Sequence, residues 1–156
     1  MQPIGVIRSP FSQHEDTPIQ PIYAAGQRGT VELEAPFREA LADLEGFERI
    51  WLLYYCDRAK PFEPRIVPYR DTEPRGLFAT RAPARPNPLG LSAVRLLGVD
   101  IARGVLDVDD LDVLDGSPLI DIKPYVPAFD AFEGRVGWLE RGLDRRRADG
   151  RFEPED

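Results

Sequence analysis

A single cysteine and a single histidine set the first boundary on this chain. Cys56 has no partner for an internal disulfide, and His14 alone does not make a Cys/His zinc site, so neither a disulfide framework nor a structural metal is expected. Nucleophilic triads meet the same shortage. Any Ser-His-Asp or Cys-His centre has to run through His14, which stands beside Glu15 and Asp16 in a polar loop, where a solvated imidazole is the simpler reading. Cys56, closing an apolar stretch, reads as a packed core thiol. No apolar run approaches the roughly 18 residues of a membrane span, and no basic segment followed by an apolar one opens the chain, so the expected location is cytoplasmic. Absent too are a G-x-G-x-x-G turn and a Walker loop, which leaves dinucleotide and P-loop folds without support.

What is present is an ordinary globular balance: 156 residues, 42% hydrophobic and 30% charged. This suits one domain, expected over residues 1–135, with a mildly helical, arginine-rich tail over 136–156. The net charge of −7 argues against a generic nucleic-acid binder, yet residues 65–95 hold six arginines against Asp71 and Glu73, a local balance of +4.

Short strand patterns dominate. Residues 4–11 read as a strand leaving at Ser9-Pro10, and 14–29 as a long polar loop. Residues 30–34 alternate, with Val31 and Leu33 on one face. Phe37, Ala40, Leu41 and Leu44 have helical spacing after Pro36, with Gly46 as the stop. Residues 50–56 are apolar without alternation, which predicts a strand buried on both faces, central in a closed sheet or covered by a partner subunit. A charged loop follows, with a short strand at 65–67. Residues 91–101 and 105–108 read as a hairpin reversing at 102–104. After an Asp-Gly turn at Asp115, residues 119–123 alternate, with Ile120 and Ile122 opposite Asp121 and Lys123. The expected fold is mainly β: a small antiparallel β-barrel with one or two short helices.

Residues 76–95, GLFATRAPARPNPLGLSAVR, are the candidate active site. Pro83, Pro86 and Pro88 hold Ala82, Arg85 and Asn87 out of helix, so a stiff loop presents Arg81, Arg85 and Asn87 with no acidic residue nearby. The residues alone leave two readings, an anion-binding surface and a solvated connection.

IGVIRSPF, the Gln20-Pro21 pair, LEGFERIWLL, the 76–95 stretch, LDVLDGSPLIDIKPY and VPAFD together resemble the TsaA-like (YaeB, TrmO) family of S-adenosylmethionine-dependent methyltransferases. The resemblance runs in order over residues 4–132. It implies a β-barrel that works as a homodimer, takes S-adenosyl-L-methionine, and methylates N6 of threonylcarbamoyladenosine next to the tRNA anticodon, so that the anticodon loop is the expected partner. The lack of metal ligands in the chain adds the expectation that the donor binds without a metal. Carried over by motif, the donor contacts would be Gln20, Pro21 and Ile22, Cys56 and Asp57, Arg81, Leu91, and Asp112, Val113, Leu114 and Asp115. Arg85 and Asn87 would line the same site. Residue chemistry makes Asp115, in the DGSP turn, the candidate base, with a turn-forming aspartate that bonds its own backbone as the other reading.

Residue chemistry agrees with that donor. It combines an adenine ring, a carboxylate, an ammonium and a sulfonium, and so wants an apolar slot, a cationic partner and carboxylates or carbonyls. Direct methyl displacement needs alignment and exclusion of water more than a protein nucleophile. Two other readings stay open on sequence: a non-catalytic RNA-binding barrel, and the same donor chemistry on another substrate.

Overall fold

A computed structural model describes residues 1–141. Eight strands form: β1 Gly5–Arg8, β2 Gly29–Leu33, β3 Arg49–Tyr55, β4 Arg65–Ile66, β5 Arg75–Gly76, β6 Leu89–Asp100, β7 Val105–Asp109 and β8 Ser117–Pro124. Six of them close an antiparallel barrel in the order β1-β2-β7-β6-β3-β8, while β4 and β5 pair as a separate two-stranded ribbon. Closure leaves the barrel no open edge. Among the described residues the one α-helix is the short Pro127–Asp130.

The barrel interior follows the period-2 rule. Ile7, Val31, Leu33, Ile50, Leu52, Val94, Leu106, Val108 and Leu119 point inward and pack as one buried cluster. This corrects the expectation for residues 50–56. Ile50 and Leu52 are fully buried, but Trp51 and Leu53 are half-buried on the outer wall, so β3 does alternate. Both of its faces are apolar because the outer one forms a stripe that is only partly covered among the described residues, with Trp51 packed edge-on against Tyr125 at 5.2 Å between ring centroids. β8 carries a second correction. Its pairing with β3 shifts between Leu53↔Asp121 and Tyr54↔Leu119, which leaves Ile120 unpaired as a bulge. Leu119 and Ile122 therefore both pack on the core, where strict alternation set Ile120 and Ile122 together.

The helix expected after Pro36 is instead two 3-10 segments, Ala35–Leu41 and Leu44–Gly46, broken where Asp43 turns left-handed at φ 67°. The tighter turn drops Leu41 into the barrel end, with Phe37 and Leu44 against the core beside it. Likewise the strand-like start at residue 76 is a two-residue strand followed by the 3-10 turn Leu77–Ala79. The short strand expected at 65–67 is β4, and the hairpin forms with Gly104 at φ 71° in its turn. In the tail, Gly137–Arg141 is a 3-10 turn; the rest of the expected helix lies outside the described residues.

Antiparallel order sorts the connections between two ends. The β2–β3 link and the β6–β7 turn close one end, where a hollow of about 470 Å³ is lined by Phe37, Leu41, Leu44, Phe47 and Ile120. The β1–β2 loop, the long β3–β6 excursion and the β7–β8 loop all emerge at the other.

Candidate active site

The end where those three loops meet is also where the polar groups meet. From the β1–β2 loop, Gln20 Oε1 accepts a short hydrogen bond from Arg81 Nη1 of the β3–β6 excursion. From the β7–β8 loop comes Asp112, whose Oδ1 accepts from Ser92 Oγ on β6 at 2.6 Å. Ser92 Oγ lies 3.1 Å from the Tyr54 hydroxyl on β3. Since the serine proton points to Asp112, the tyrosine proton points to the serine, giving a chain Tyr54 to Ser92 to Asp112. Gly90 makes this geometry possible. It pairs with Tyr54 across the strands, and a Cβ there would sit 2.2 Å from two atoms of the tyrosine ring.

Crowding decides the electrostatics. Burial pushes the Asp112 carboxyl up to about 7, against the opposing pulls of the Ser92 hydrogen bond and the Arg81 charge. A strip of the residue nevertheless remains exposed. Burial, followed by the charges of Asp57 and Asp112, pushes the Cys56 thiol up to about 11, so it is a neutral, half-buried wall of the site. Burial raises the Tyr54 phenol as well. The result is a carboxylate that gains from a nearby cation, facing a guanidinium that suits an anion. That donor set fits the ammonium or sulfonium and the carboxylate of S-adenosylmethionine.

The other expected site residues divide. Pro21 opens a 3-10 turn, Pro21–Tyr23, which leaves Ile22 80% exposed at the rim. Asp57 is exposed and pairs with Arg58 at 3.3 Å. Val113 is core, and the Leu114 carbonyl accepts from Ser117 Oγ at 2.8 Å. Leu91 faces outward beside Leu53 on the apolar stripe, away from Asp112. Asp115 Oδ1 accepts the Ser9 N–H at 3.1 Å, and Gly116 takes φ 78°, so this carboxylate holds the turn. Arg85 Nη1 donates to the carbonyls of Thr80 and Ala82 at 2.9 and 3.3 Å, which folds it into its own loop. Asn87 is exposed, and its carbonyl accepts from the Leu89 N–H at 2.8 Å. Sequence reasoning missed Tyr54 and Ser92. An inward polar pair near one barrel end was the available signal, but within an apolar run and a GLSAV pattern it read as packing.

The tail reaches this end too. Trp138 Nε1 donates to the Ala79 carbonyl at 2.8 Å, and its ring lies 5.6 Å from the Arg75 guanidinium. Among the described residues no group of three or more His, Cys, Asp or Glu is placed to hold a metal, and no helix is long and apolar enough to cross a membrane.

Comparison with known proteins places this geometry. Residues 6–131 match the tRNA-methyltransferase O N-terminal domain family. A probable S-adenosyl-L-methionine-binding protein of Pyrococcus abyssi is 50% identical over 155 residues, covering 97% of this chain and 83% of the relative. The tRNA (adenine(37)-N6)-methyltransferase of Escherichia coli is 38% identical over 132 residues, covering 80% of this chain and 56% of the relative. Among solved structures, the crystal structure of TrmO from Pseudomonas aeruginosa superposes with a TM-score of 0.73 at 43% identity, covering 87% of this chain and 60% of that one. The six-strand barrel and the match across its whole length agree, and the chain belongs to the tRNA-methyltransferase O N-terminal domain family.

Proposed function

We propose that this chain transfers a methyl group from S-adenosyl-L-methionine to adenine N6 of tRNA, with threonylcarbamoyladenosine next to the anticodon as the acceptor. One observation carries the reading: Arg81, held by Gln20, and Asp112, backed by Ser92 and Tyr54, meet at the loop end of a barrel belonging to this family. Arg81 pairs with the donor's carboxylate and Asp112 with its cationic centre, while Cys56 contributes an apolar wall. The donor supplies an activated methyl; the protein supplies alignment and a dry site.

The acceptor nitrogen is conjugated to a carbonyl and nucleophilic only as its proton leaves. We assign that proton to Asp112, which lies near the Arg81 charge at the loop end, whereas Asp115 Oδ1 accepts the Ser9 N–H at the turn. Before transfer Asp112 faces a cation, which favours its ionised form. As the nitrogen lone pair takes the methyl and the carbon–sulfur pair returns to sulfur, that cation is neutralised and Asp112 becomes more basic, as the N6 proton departs. Asn87, exposed at the loop mouth, is a contact for the RNA.

The reading includes a homodimer in the cytoplasm. Trp51, Leu53 and Tyr55 of β3 pair across the wall with Ala93, Leu91 and Leu89 of β6, a continuous apolar face left partly exposed among the described residues. A second copy seated there accounts for Leu91 on the outside.

Radiolabelled donor incubated with the purified chain and tRNA, threonylcarbamoylated or not, tests the reading. Label confined to the modified tRNA, lost in Asp112→Asn, supports it. Equal labelling of both tRNAs rejects the acceptor, and no label in RNA rejects the activity.

A further inference from the structure

Phe78 is 76% exposed in the middle of a loop that is otherwise tied down on every side. Leu77 before it is buried, and its carbonyl accepts from both the Thr80 N–H at 3.0 Å and the Thr80 hydroxyl at 2.7 Å. The Ala79 carbonyl after it is held by Trp138. Arg85 gathers the carbonyls of the same turn, and its guanidinium carbon lies 5.4 Å from the Phe78 ring centroid, covering one face. A large apolar ring with this much backing gains nothing for folding by facing water. The fastened backbone on either side removes most of the entropy cost of using it to bind.

We propose that Phe78, backed by Arg85, is a stacking platform for one unpaired nucleobase of the RNA acceptor; this rests on the tRNA reading above. The surroundings select that occupant. Arg65, Arg70 and Arg75 occupy the same excursion, Arg75 in an ion pair with Asp71, residues 76–95 contain no acidic side chain, and an RNA loop offers both a π-face for the ring and phosphates for the basic stretch. Arg81, three residues on, is hydrogen-bonded to Gln20 at the donor site, so a base stacked on Phe78 is held at the mouth of that site.

The test uses the full chain with Phe78→Ala and Phe78→Trp, a synthetic anticodon stem-loop RNA, and a duplex RNA of the same composition. Phe78→Ala weakens stem-loop binding roughly ten- to a hundred-fold, the range for loss of one base–aromatic stack. The slope of log Kd against log salt stays unchanged, because stacking releases no counterions, and Phe78→Trp restores affinity. Duplex binding and donor affinity, the latter by calorimetry, do not move. Unchanged stem-loop affinity in Phe78→Ala overturns the platform while leaving the methyltransferase reading intact. A parallel fall in donor affinity assigns the ring to the donor instead, and a fall in molecular mass assigns it to a second copy; either overturns the proposal. Wild-type protein that binds no RNA overturns both readings together.

Discussion

Replacing Asp112 by asparagine removes a buried charge and keeps an oxygen for the Ser92 hydroxyl, so it isolates what that charge costs. The carboxyl ionises near its ordinary 3.8 in the unfolded chain and at about 7 in the folded one. Between those values the folded protein binds more protons than the unfolded one, so stability falls as pH rises and the loss is complete above about pH 7. At about 1.4 kcal/mol for each pH unit, the gap corresponds to about 4 kcal/mol. Asparagine behaves as the neutral acid at every pH. The expected outcome is that Asp112→Asn matches wild type in urea denaturation near pH 3, below the unfolded value, and exceeds it near pH 8, by an amount approaching that figure. Donor binding runs the opposite way. A cation beside Asp112 requires the ionised form, so wild-type affinity rises up to tenfold per pH unit toward pH 7 and then levels, while the variant binds weakly at all pH values. Parallel stability curves for the two proteins, or a variant less stable at pH 8, would refute the claim that burial governs this carboxyl.

Arg81→Ala lowers donor affinity by about 1.5–3 kcal/mol, the range for a hydrogen bond to a charged group, without changing the thermal midpoint beyond a degree or two; calorimetry and melting measure the two effects. Gly90→Ala forces the Tyr54 ring from its place, costing about 1–3 kcal/mol of stability in denaturant titration, and donor binding falls with the displaced tyrosine. Leu91→Glu puts a charge into the apolar stripe and halves the mass seen by light scattering; a monomeric wild type at micromolar concentration rejects the dimer.

Where neighbours in sequence decide the structure, the chain was legible. Val31 and Leu33 declare the inner face of β2 by alternation, and the Asp115-Gly116 pair makes the turn its composition implies, with glycine at positive φ. The misreadings share one cause. Ile120 and Ile122 part company because β8 bulges against β3, a fact of pairing with a distant strand. Trp51 and Leu53 imitate core because the outer wall is apolar there. Arg85 offered a free guanidinium on paper, but its own loop carbonyls claim it. The site itself was legible only as segments. Gln20 and Arg81 are 61 residues apart and Ser92 and Asp112 are 20 apart, so their hydrogen bonds exist only once the barrel closes. The family motifs include Gln20, Arg81 and Asp112, which the fold brings to one end, but no local pattern names Tyr54 or Ser92 as the groups behind Asp112.

The contact between Trp138 and Ala79 separates two meanings of the word domain. By similarity the unit ends at residue 131, but by mechanics it continues at least to the indole that holds the Ala79 carbonyl. Recombinant protein trimmed at the similarity boundary would keep every barrel strand and melt as one unit. It would also hand the Ala79 oxygen to water and take away the ring beside Arg75, loosening the segment that presents Phe78 and Arg81. Such a fragment would be well folded and poorly active, and its weakness would be misread as a missing partner or a wrong substrate.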